Sequence, residues 1–93
     1  MVEQQILLNS QRGLHLRPAG KLSELALQYR CRSQMVIGDK SFNLKSVLSV
    51  LSAQVAAQRE ITLQCDGVDE KEAIEALSAF LTEDMDSAEG REK

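Results

Sequence analysis

The chain contains one histidine, His15, set in the run Gly13-Leu14-His15-Leu16-Arg17-Pro18-Ala19. Downstream, Leu22, Leu25, Ala26 and Tyr29 recur at i, i+3, i+4, i+7, one face of a helix whose start falls around residues 15–17. Pro18 suits that start, because its fixed φ is helical and its missing N–H would have no partner in the first turn. His15 therefore stands where free backbone N–H groups and the positive end of the macrodipole attract anions, an effect of roughly 0.3–1 kcal/mol at an exposed site. Arg17 is placed to fork toward phosphate oxygens. A neutral imidazole is a nucleophile, and a positive helix end favours the neutral ring. A phosphoryl group on this ring would be cradled without being buried, which suits transfer better than tight storage. For a lone histidine the plainer reading, an N-cap residue beside an ordinary surface charge, outweighs the chemical one.

Ser46 precedes an apolar segment, Val47, Leu48, Val50, Leu51 and Val55, and predicts the N-cap of a second, short helix. Val47, Leu48 and Leu51 together with Leu16 are candidates for an exposed apolar patch, flanked by Arg12, Arg17, Lys21 and Lys45. The competing expectation is that at least one of Leu48 and Leu51 is core. Such a patch ringed by cations fits a weakly held, fast-exchanging acidic partner. Cys31 and Cys65 are far apart in sequence and lack CxxC spacing, so they read as free thiols in strands. With one His they do not make a metal ligand set. No nucleophile triad or phosphate-binding Gly-rich loop is present, so an independent kinase is not indicated, and no cofactor is expected.

These residues need elements to position them. Residues 2–8 read as a strand ended by the turn-prone Asn9-Ser10-Gln11-Arg12-Gly13. A strand over Cys31 to Ile37 turns at Gly38-Asp39 into another near Lys40 to Leu44. Ile61 to Cys65 alternates apolar and polar, the mark of a half-buried strand. Asp69 and Glu72 have the spacing of a capping box, followed by an apolar stripe at Ala73, Ile74, Leu77 and Leu81. The order is β-α-β-β-α-β-α, which implies an α+β open sandwich and leaves the strand neighbours undetermined.

The bulk numbers narrow the function classes. At 93 residues and 43% hydrophobic the chain is one small domain, here residues 1–82, with a charged tail over 83–93 expected to be disordered. Aromatics are 3% with no Trp, which disfavours base stacking, and the net charge of −3 disfavours binding to nucleic acid. Residues 1–65 carry eight Lys/Arg and four Asp/Glu, whereas residues 66–93 carry three and ten, so an anionic ligand or partner is expected at the front of the chain. The acidic start and short apolar run Ile6-Leu7-Leu8 do not resemble a secretory signal, and no stretch is long enough to span a membrane. A cytoplasmic protein is expected.

The run over 13–19 resembles the active-site motif of HPr, the histidine-containing phosphocarrier family of the phosphoenolpyruvate-dependent phosphotransferase system. Lys45-Ser46-Val47-Leu48 resembles the family's regulatory serine motif, and Asp66 to Ala73 its approach to the final helix. The resemblance covers about residues 2–82. It implies a four-stranded antiparallel sheet covered on one face by three helices. It further implies phosphorylation of His15 on its δ nitrogen by enzyme I, assistance by Arg17, and transfer to an EIIA-type domain in sugar transport or regulation. Ser46 would be the target of an HPr kinase/phosphorylase, besides its capping role. A monomer is expected, since one face must serve several partners. The alternative is an HPr-like regulatory protein that acts through Ser46 phosphorylation and binds a transcriptional regulator. Leu16 replaces a small residue of the pattern, and Ser49, Gln54 and Gln58 stand where relatives often have Gly. Those departures leave the partner open: sugar uptake, nitrogen regulation, dihydroxyacetone phosphorylation or another branch.

Overall fold

In the strand Glu60–Asp66, Ile61, Leu63 and Cys65 are buried and the residues between them are not. That period of two gives the sheet one covered and one open face. The computed structural model describes residues 1–8, 16–53 and 59–84. Its elements are β1 Val2–Leu7, α1 Leu16–Leu27, β2 Arg32–Ile37, β3 Lys40–Asn43, α2 Val47–Ser52, β4 Glu60–Asp66 and α3 Glu70–Ala79, followed by a π-helical turn over Phe80–Asp84. The order is the one expected. Residues 85–93, most of the expected tail, lie outside the described residues, as do Gln54 and Gln58.

The strands lie in the order β1-β4-β2-β3, all pairs antiparallel. The register sets like beside like on the covered face: Ile6 opposite Ile61, Leu63 opposite Met35 and Cys65 opposite Ser33. A slip of one residue would turn every one of these to solvent. β2 and β3 form a hairpin closed by the pair Ile37 and Lys40. Its two-residue turn begins at Gly38 with φ 64, the conformation that favours glycine there.

The three helices supply the other half of the core. Leu22 and Ala26 of α1, Val50 of α2, and Ala73, Ile74 and Leu77 of α3 are buried with Met35, Leu44 and Leu63. Tyr29 falls just beyond α1 and packs against this cluster half-buried. Among the described residues, no helix is long and apolar enough to cross a membrane.

The expected capping box at the start of α3 is not what forms. Asp69 occupies the N-cap position but makes no capping hydrogen bond with its side chain. Its carboxylate instead accepts from the backbone N–H groups of Arg30 at 2.8 Å and Cys31 at 2.9 Å. Glu70 takes over locally, accepting from Gly67 N–H at 3.0 Å. The two N–H groups of the α1–β2 turn compete successfully for Asp69, so the acid joins elements 38 and 39 residues apart.

Candidate functional site

α1 begins at Leu16, within the range the apolar stripe predicts. His15 and Arg12 fall outside the described residues, as does the side chain of Leu16. Pro18 and Ala19 are buried beneath the first turn, which fixes how that turn seats on the core. Arg17 and Lys21 are exposed and, four residues apart, share one face of α1. The first turn holds no acidic side chain, so no carboxylate offsets the positive end of the dipole there.

α2 packs beside α1. Ser46 is its N-cap, in extended conformation, and its Oγ accepts from Ser49 N–H at 3.2 Å. Ser49 Oγ in turn accepts from Asn43 N–H at 3.0 Å, pinning the end of β3 to α2. A glycine at position 49 would lack that acceptor, and composition alone carried no sign of it.

The apolar candidates divide. Leu48 is 79% exposed, Val47 is half-buried, and Leu51 is half-buried against the core. Leu51 thus takes the core role expected of at least one of the pair. Lys45 goes elsewhere: its ammonium donates to the Tyr29 carbonyl at 2.8 Å, just past the C-terminal end of α1. With 12 residues in α1, that end lies about 18 Å along the helix from Leu16. The structure therefore sets Arg17 and Lys21 together on α1, with α2 alongside, and ties the Lys45 ammonium to the opposite end of α1.

Cys31 and Cys65 are both free and buried. Cys65 lies in β4 and Cys31 immediately before β2, near enough for each thiol to influence the other's ionisation. Burial pushes the Cys65 thiol up to about 12, with the neighbouring Cys31 adding to the shift. Burial also raises the Cys31 thiol, aided by Asp69. Groups held this firmly in the neutral form are poor nucleophiles and poor metal ligands.

The chain matches the family model PTS-HPr, described as the PTS HPr component phosphorylation site, over residues 2–83. It is 34% identical over 83 residues to the phosphocarrier protein HPr of Buchnera aphidicola (subsp. Acyrthosiphon pisum, strain APS), covering 89% of this chain and 98% of that one. The crystal structure of HPr-C-His from Thermoanaerobacter tengcongensis superposes with a TM-score of 0.86 at 30% identity, covering 91% of this chain and 94% of the other. The Bacillus subtilis catabolite repression protein Crh, described as a swapped dimer, gives a TM-score of 0.73 at 32% identity, covering 89% and 95%. With its sequence matched over nearly its whole length and its sheet and helices superposing on solved relatives, the chain belongs to the HPr family of phosphocarrier proteins of the phosphotransferase system.

Proposed function

We propose that the protein accepts a phosphoryl group on the δ nitrogen of His15 and passes it to an acidic acceptor domain in the cytoplasm. The observation that carries this reading is the start of α1 at Leu16. Residue 15 directly precedes a helix N-terminus whose first turn contains Arg17 and no acidic side chain. In the first transfer a P–N bond forms at His15 as the P–N bond of phosphorylated enzyme I breaks. In the second, an EIIA-type domain takes the group and His15 returns to neutral imidazole. Arg17 and the free N–H groups of α1 would hold the phosphoryl oxygens through both steps. Lys21, Val47 and the exposed Leu48 would form the surface on which partners dock, with Leu16 and Leu51 at its margin.

A half-buried Ser46 capping α2 also suits regulation. A phosphate there would keep an acceptor at the cap while adding about −1.5 to −2 charge beside Leu48. An acidic partner would be repelled, and a regulator recognising phosphoserine would be favoured.

Incubation with phosphoenolpyruvate and enzyme I, followed by intact mass, tests the carrier reading. One acid-labile phosphoryl group on the wild type and none on His15→Ala supports it. Absence of phosphorylation on folded wild type by its cognate enzyme I overturns it, and leaves Ser46 as the site to examine. Sedimentation of the same sample distinguishes a monomer from a swapped dimer of the kind described for Crh.

A further inference from the structure

A second cationic site lies at the other end of α1. β3 stops at Asn43, paired with Gln34, and the chain leaves the sheet after Leu44 N–H bonds to Ser33 C=O at 3.0 Å. β2 extends further, to Arg32, which pairs with Asp66 of β4 on its other side. The flank left open is a groove of about 460 Å³ lined by Arg30, Cys31, Arg32, Ser33, Gln34, Asn43 and Lys45. That volume is within the usual range for small-ligand sites.

Three of the lining side chains are cations and none is an acid. Among the described residues, no carboxylate forms an ion pair with Arg30 or Arg32. Lys45 is anchored by one bond to Tyr29 C=O, which orients the ammonium and leaves two of its three donors. Asn43 Oδ1 is engaged by Lys45 N–H at 3.0 Å, which fixes the amide. Ser33 is 1% exposed and its hydroxyl has no partner among the described residues. Asp69, which bonds the same turn through the backbone, is not a lining residue.

We infer that this groove binds a phosphate dianion, free or as a small monoester, independently of His15. Two guanidinium forks and one ammonium match the charge and the several acceptor oxygens of phosphate better than those of a single carboxylate. The groove lies beyond the C-terminal end of α1, about 18 Å from the helix start, so occupation would not compete with phosphoryl transfer.

Titration of the isotopically labelled full chain, followed by its amide resonances, tests this with inorganic phosphate, ribose 5-phosphate and ribose as separate probes. Expected are saturable shifts over residues 30–34 and 43–45 below roughly 10 mM phosphate, unchanged in His15→Ala. Ribose alone should cause none. Tighter binding of ribose 5-phosphate than of inorganic phosphate assigns the site to a monoester, and equal binding assigns it to the free anion. The double variant Arg30→Ala/Arg32→Ala should bind at least about tenfold more weakly, and Arg32→Glu should do so with a single change should the double variant not fold. Linear, non-saturating shifts, shifts confined to residues 16–20, or undiminished binding by a folded arginine variant would each overturn the inference.

Discussion

Asp69 holds Cys31 by its backbone N–H at 2.9 Å, so the residue that opens the last helix fastens the turn between the first helix and the second strand. The bond to Arg30 N–H at 2.8 Å doubles that clasp. The clasp thus fixes the backbone of Arg30 and Cys31, two of the residues that line the cationic groove. It is also the main long-range polar tie between α3 and the α1–β2 turn in the described residues.

This clasp makes stability depend on acid in a defined direction. The Arg30 and Cys31 N–H groups hold the Asp69 carboxyl below its ordinary value of 3.8, Arg30 contributing most. The Gly67 N–H, and then the α-ammonium of Met1, do the same for Glu70 below its ordinary 4.5. Groups with depressed folded values stabilise above their unfolded values and lose that contribution as pH falls through the folded ones. Urea midpoints should therefore be flat from neutral pH down to about 5 and then decline. Asp69→Asn should lower the midpoint at pH 7, and the gap to wild type should narrow as the pH drops below 3.8. A gap of constant size across that range would refute the ionic origin.

Gly67 lies against the same turn. A Cβ placed on it would come 2.6 Å from the Cys31 Cα and 2.7 Å from its Cβ. The first of these atoms is backbone, so no side-chain rotation relieves the clash. Gly67→Ala should destabilise by about 1–3 kcal/mol, measured by urea unfolding. The amide shifts should be largest at Arg30–Arg32, where the β2 and β4 ends must separate.

The two thiols should be chemically quiet in the native protein. Cys65 is fully buried with its thiol pushed up to about 12, and Cys31 is 1% exposed and also raised. At pH 8 a thiol with such a value is ionised in only about one molecule in ten thousand. Iodoacetamide should alkylate both in urea and, without denaturant, react at least about a hundredfold more slowly. Fast native labelling of either would mean that this end of the sheet opens locally.

Much of this was legible from local pattern. The i, i+3, i+4, i+7 stripe located α1 to within a residue of Leu16, and the alternation from Ile61 located β4, because burial of one face imposes those periods. Ser46 was legible as a cap because its acceptor is used three residues away. Asp69 was not, since its partners are 38 and 39 residues distant and a local motif cannot register competition from a remote turn. Lys45 shows the same limit: charge and sequence proximity to Ser46 do not reveal that its ammonium bonds Tyr29 C=O just past the C-terminal end of α1. The strand order β1-β4-β2-β3 likewise rests on long-range pairing that element order alone leaves open.

Leu48 and Val50 offer the cleanest separation of docking from folding. They are two residues apart on one short helix, yet Leu48 is 79% exposed and Val50 is completely buried. A large apolar side chain left in water on a helix beside the proposed phosphoryl site gains nothing for the fold. Leu48→Asp should thus change stability by no more than about 0.5 kcal/mol. If partners dock there, the same substitution places a charge and removes an apolar contact at the interface. Transfer from enzyme I should then fall by about tenfold or more in kcat/KM at subsaturating carrier, with intact phosphorylation at long times. Val50→Ala should behave oppositely, losing on the order of 1–3 kcal/mol of stability while its folded fraction transfers at the normal rate. Equal transfer rates for Leu48→Asp and wild type would remove α2 from the docking surface and confine recognition to the first turns of α1.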